Sequence, residues 1–264
     1  MKRYWQIFKQ LLLFHLQSKM TYRFNFLLES IHWPVYMIIM YLLVKLSFSR
    51  AGGSIIGLSE TEGILLFGIF NMTFALCFAT IISGLQHFVW AGVRTGELDQ
   101  VLTKPISPKF FIAFSLPDAS SFIFFLVSLG IVINQTWLLK SQITFFNLFS
   151  FLITYLLSLL LIYYVLLLYA SASLYVVKAQ QVFELFNKMS DFGQFSPKLF
   201  PFSIQILLVT ILPLTLFAYL PTQVLLGRAS WTDFPLLIGI IIITKFFADY
   251  SWREGLKRYS SASS

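Results

Sequence analysis

Few residues in this chain have the types and spacing to do chemistry, and the densest group lies in Ala91–Phe111, AGVRTGELDQVLTKPISPKFF. Arg94, Glu97, Asp99, Lys104 and Lys109 crowd this stretch, whereas Gly63–Val93 before it carries no formal charge. Glu97 and Asp99 resemble an acid and base pair, but residues two apart on a helix point to different faces. His15, His32 and His87 are scattered without ligand partners at helical spacing, which argues against a metal centre. The one cysteine, Cys77, sits in an apolar tract and allows no internal disulfide. No GxxxxGK[ST] loop, HExxH helix or GxSxG elbow occurs. No catalytic residue and no cofactor is therefore expected, and any nucleotide hydrolysis belongs to another chain.

What remains for the charged island is to be gripped. Val93, Leu98, Val101 and Leu102 give it a short apolar stripe flanked by Arg94, Glu97, Gln100 and Lys104, and Pro105 and Pro108 stop the helix. Periodicity alone fits a docking helix and a solvated loop equally well.

The elements around the island are set by composition. Hydrophobic residues make up 58% of the 264 and charged ones 11%, roughly half the charge of a soluble domain, which is about a quarter charged. Several charge-free runs reach the roughly 20 residues a helix needs to cross a hydrocarbon core. They are continuous rather than alternating, so helices and not a barrel are expected. The fold class is an all-α integral membrane protein with six transmembrane helices. The spans are placed at 26–48, 63–90, 119–139, 148–177, 199–219 and 234–250. Residues 1–23 alternate Trp5, Phe8, Leu12 and Leu16 with cations and read as an N-terminal amphipathic interfacial helix. Residues 220–230 read as a short non-crossing hairpin between spans five and six, and Ser115–Asp118 as a helix start. Residues 91–117 and 178–198 are the two charged islands, the second with a stripe of Val182, Phe183, Phe186 and Met189. Lys245 and Asp249, four apart on the last span, are placed to pair or to snorkel at its edge.

Six spans put both ends on one side, and the cations choose which. Fourteen of the 19 fall in the termini and the islands, against four, Lys45, Arg50, Lys140 and Arg228, on the other side. Both termini, both islands and the 251–264 tail are thus expected in the cytoplasm. That bias accounts for the net charge of +8 without nucleic acid. Charges lie mostly at span edges, which disfavours ion coupling. The load of 30 Phe, 12 Tyr and 6 Trp suits lipid contact, or a path for an apolar or amphipathic solute.

Three stretches carry a resemblance: RTGELDQVLTKPISPKFF at 94–111, YLPTQVLLGRASW at 219–231 and GLKRYSSASS at 255–264. On these the whole chain resembles the membrane subunits of ABC-2 type transporters, in particular a six-span subgroup with an N-terminal interfacial helix. The resemblance implies a permease, an exporter by preference, in a bacterial cytoplasmic membrane. It implies two partners in the bilayer assembly, a separate ABC ATPase subunit and a second permease subunit, identical or similar. It also implies that Gly96, Glu97 and Leu98, with Arg94 and Asp99 beside them, form the contact with the ATPase. A membrane scaffold or sensor that does not transport is the rival reading.

Overall fold

Backbone groups in hydrocarbon must be satisfied within their own segment, and this chain meets that demand with helices. The computed structural model describes residues 2–55, 57–93, 95–176, 180–210 and 213–259. Among these, five helices are long and apolar enough to cross a membrane: Arg23–Arg50, Glu60–Gly92, Ala119–Leu138, Phe145–Leu174 and Asp233–Arg258.

The first helix, α1 (Lys2–Thr21), presents Ile7, Phe8, Leu11, Leu12, His15, Leu16 and Lys19 as a half-buried stripe at helical spacing. It meets α2 (Arg23–Arg50) at Tyr22. A two-strand hairpin follows, Ser54–Ile55 with Leu58–Ser59, entered through Gly52 and Gly53 at φ of 77° and 86°.

The central element is α3 (Glu60–Gly92). Leu65, Ile69, Ala75, Ala79, Ile82 and Leu85 along it are all at 0% exposure. Its start is held by a capping box: Ser59 Oγ accepts from the Glu62 N–H, and the Glu62 carboxylate accepts from the Ser59 N–H at 2.9 Å. Two π turns, Phe78–Ile82 and Phe88–Gly92, interrupt its regular pitch. Within the first, the Ala79 carbonyl accepts from the Asp118 N–H at 3.1 Å. Two short helices, α4 (Glu97–Leu102) and α5 (Pro108–Phe114), then lead to α6 (Ala119–Leu138) and α7 (Phe145–Leu174). Asp118 caps α6 as the sequence suggests, accepting from the Ser121 N–H at 3.1 Å. α6 packs along α3, where a Cβ on Gly68 would lie 3.1 Å from Ile131 and Val132.

After α7 the structure departs from expectation. Of the stretch expected as a second island, residues 180–198 do not form one on the surface. Its helix, α8 (Gln180–Ser190), starts beside the last π turn of α3, with Phe186 in ring contact with Tyr169 at 5.3 Å. The chain then passes Gly193, whose Cβ site lies 2.8 Å from the Phe70 ring. Gln194, Phe195, Ser196 and Leu199 line a cavity with Phe48, Leu58 and Gly63, at the Glu62 end of α3. Residues 180–199 therefore run from one end of the bundle to the other. Lys178 lies outside the described residues.

The tract expected as a fifth span, 199–219, instead starts a hairpin that returns to the end it left. It contains α9 (Phe202–Thr210) and α10, a π turn Thr215–Tyr219 running into Leu220–Leu225. At its deepest point the Leu216 carbonyl accepts from Ser158 Oγ at 2.6 Å and Phe217 meets Phe74, ring centroids 6.4 Å apart. It comes back to the Glu62 end, where Arg228 forms a two-pronged ion pair with Glu62. The non-crossing hairpin is thus longer than the 220–230 expected, and the crossing precedes it. The prolines explain this: Pro201 opens α9, and Pro213, with no N–H to give, stands buried at the turn between α9 and α10.

The last helix, α11 (Asp233–Arg258), lies along α7, with Ser171 and Ser251 hydroxyls 2.7 Å apart and Gly255 against Leu174. Residues 260–264 of the tail fall outside the described residues.

Candidate functional site

The candidate coupling region forms where α3 ends. Gly96 takes φ of 76°, a left-handed conformation that costs other residues more, and so turns the chain into α4. The Asp99 N–H donates to the Gly96 carbonyl at 3.1 Å and closes the first turn. Leu98 and Val101, three apart, are buried at 0% and 9% exposure, while Gln100 and Glu97 are on the outer sides. The short apolar stripe is therefore a packing face, and the helix lies on the bundle rather than hanging from it. Glu97 reaches back to α3, its Oε2 2.8 Å from Nε2 of His87, with both side chains about half exposed. Arg94 lies outside the described residues. Four of the five expected residues, Gly96, Glu97, Leu98 and Asp99, stand together in one helical turn.

Pro105 ends α4, since the residue before a proline is pushed out of the helical region. Pro108 starts α5, where its missing N–H costs nothing. Lys104, just before Pro105, stacks its ammonium 3.8 Å over the Phe111 ring.

α5 is the junction that ties α4 to the rest. It touches α3 at Gly84, whose missing side chain lets the backbones meet: a Cβ there would lie 2.3 Å from the Ile112 carbonyl oxygen. It meets α1 through Tyr4–Phe110 and Phe8–Phe114 edge contacts at 4.7 and 5.6 Å. It meets α11 through Lys109 Nζ, 2.5 Å from Asp249 Oδ1. Asp249 is therefore engaged by Lys109 and not by Lys245. Neither Gly84 nor the Lys109–Asp249 pair, 140 residues apart in sequence, carries a local signal.

A second polar centre lies beside it. Lys19 bridges Glu29 at 2.6 Å and Asp118, whose carboxylate also accepts from Ser120 and Ser121. Burial works to lower the Lys19 pKa, but the hydrogen bonds from it to Asp118 and Glu29 hold it above its usual value. Burial likewise works to raise the Asp118 pKa, and the hydrogen bonds from Lys19, Ser121 and Ser120 hold it below. The cluster pins α1 to the starts of α2 and α6. It borders an open groove of about 1040 Å³ that continues past His32, Trp33 and Tyr36 of α2.

Compared with protein-family models, residues 35–263 match the family described as ABC-2 family transporter protein. No curated protein matches the chain. The matched stretch takes in α3 to α11 and leaves α1 outside it.

Proposed function

The chain belongs to the ABC-2 family transporter proteins and is a multi-pass membrane permease component of an ABC transporter, and from that premise we propose that it is the permease half of an exporter. In this reading α4 docks on a separate ATPase subunit, and ATP-driven closure of two such subunits moves two permease halves against each other. The assembly sits in a bacterial cytoplasmic membrane with both termini in the cytoplasm, and solute passes between the halves. The observation that supports it best is the build of the Glu97 turn. Its apolar side is bound into the bundle through Leu98 and Val101, while Glu97 is half exposed and bonded to the end of α3. A load on α4 is thus passed directly to the most buried helix.

Glu97→Ala tests this. The residue is half exposed, so insertion and thermal stability should stay within about 0.5 kcal/mol of the parent. Stimulation of the copurified ATPase by this chain should fall by about tenfold, consistent with the loss of a charge-assisted contact. An ATPase that binds this chain yet hydrolyses ATP at the same rate with and without it favours the scaffold reading. Wild-type stimulation in Glu97→Ala removes Glu97 from the coupling contact.

Orientation has its own check. Ser107 is exposed between α4 and α5, and Cys77, the chain's only cysteine, is buried. Ser107→Cys should therefore stay unlabelled by an impermeant maleimide on intact cells and label once the cells are permeabilised. Labelling on intact cells reverses the topology.

A further inference from the structure

The segment that makes the fifth passage through the bundle turns its ionisable groups outward. Phe183 and Phe186 of α8 are buried at 0% and 1% exposure. Gln181, Glu184 and Lys188 on the other side, and Asp191 just past the helix, are exposed. Among the described residues, Glu184, Lys188 and Asp191 have no hydrogen-bond or ion-pair partner.

Gln181 and Glu184 lie towards the end where α8 starts, but Asp191 is not at an edge. Gly193, two residues beyond Asp191, lies against Phe70, which is about 15 Å along α3 from Glu60. Asp191 also lies within electrostatic reach of Tyr36, about 20 Å along α2 from Arg23 and near that helix's midpoint. The outward faces of the other crossing helices at comparable depth are apolar: Ile39, Leu42 and Leu43 on α2, Leu152 and Leu156 on α7, Ile238 and Ile242 on α11. Unpaired charges facing hydrocarbon are costly, and within membrane proteins such groups face water or other protein. Lipid can cover the other faces but not this one.

We propose that the outward face of α8 lines a water-filled solute path, and that Gln181, Glu184, Lys188 and Asp191 select for a polar, hydrated solute. This rests on the reading of the chain as one of two permease halves facing each other across that path. Charge alternates negative, positive, negative over about 10 Å, with Leu185 and Phe192 exposed beside it, a pattern that can replace the hydration of a polar or zwitterionic solute while touching an apolar part of it. Of the aromatic residues here, Phe183 and Phe186 serve the core and Phe192 stands on the outward face.

Single cysteines at Glu184→Cys, Lys188→Cys and Asp191→Cys, in the full chain in membrane vesicles, test this with a charged methanethiosulfonate reagent. Ser107→Cys sets the rate for an exposed site and Leu156→Cys the rate for a lipid-facing one. All three should react at least about tenfold faster than Leu156→Cys, because the charged reagent enters water and not hydrocarbon. Rates no faster than Leu156→Cys overturn the proposal, whether lipid or a dry interface with a second copy covers the face. Gln181→Cys on the same face removes no charge, and it decides the matter by the same rates if the charge-removing variants do not insert. ATPase copurification is scored in parallel. Reactive cysteines without a bound ATPase keep the aqueous face and remove the exporter reading, and a bound ATPase with unreactive cysteines does the reverse.

Discussion

A methyl group added at Gly84, the change Gly84→Ala, should drive α5 off α3 and cost the chain both stability and its response to an ATPase. The new Cβ would stand 2.3 Å from the Ile112 carbonyl oxygen and 2.7 Å from that of Ala113. Both obstacles are backbone, so no rotamer change relieves the clash, and α5 must move as a unit. Overpacking of this kind costs about 1–3 kcal/mol, with more where the backbone cannot yield. The functional loss should exceed the stability loss, because α5 also holds α4, the Lys109–Asp249 pair and the aromatic contacts to α1. Thermal unfolding in detergent and ATPase stimulation read the two effects separately. Gly130→Ala and Gly239→Ala are the matched controls, since nothing lies within 4 Å of a Cβ at either. Both should be neutral or stabilising by up to about 1 kcal/mol through helix propensity. A Gly84→Ala chain as stable and responsive as these controls would show that α5 is not held at this contact.

The second large effect is expected at the opposite end of the bundle. Arg228→Ala leaves the Glu62 carboxylate, whose side chain is 5% exposed, without its counter-charge. The Arg228 side chain is 42% exposed, so the cost falls below that of a fully buried pair, at about 1–3 kcal/mol for a buried acceptor that loses its partner. Glu62 cannot move away to water, since the same carboxylate completes the cap of α3 by accepting from Ser59. The loss should appear as a lower unfolding temperature and as faster amide exchange in α10, which Arg228 ties down. Pairing Arg228→Ala with Glu62→Gln, which keeps the cap and removes the charge, should recover more than half of the loss. No recovery would mean that the guanidinium holds the hairpin through packing rather than charge.

The sequence was legible where local chemistry decides. The charge-free tract of α3, the acid that caps α6 and the prolines that separate α4 from α5 each act on their own neighbourhood, and each sits where expected. The fifth crossing was not legible. A stripe of Phe183, Phe186 and Met189 beside Glu184 and Lys188 reads the same for a helix on a membrane surface and for one whose polar side faces a path inside it. Leu199–Gly227 misled in the opposite sense, because a charge-free run has the same composition whether it crosses or dips and returns. The residues of the Glu97 turn are contiguous, so their nearness is read directly from the chain. The Lys109–Asp249 pair beside it and the Glu62–Arg228 pair at the other end of the bundle form only after the chain has folded.

The two π turns of α3 store length. Each holds one residue more than regular pitch needs, so returning either to α geometry would advance everything beyond it by about 1.5 Å and rotate it by about 100° about the helix axis. One turn, Phe78–Ile82, ends just before Gly84 in the chain, and the other, Phe88–Gly92, ends just before the Glu97 turn. In the coupling proposed above, a pull on α4 reaches a helix with one residue of slack at each turn, which α3 would give up like a pawl on a toothed rack without breaking its run from one face of the membrane to the other.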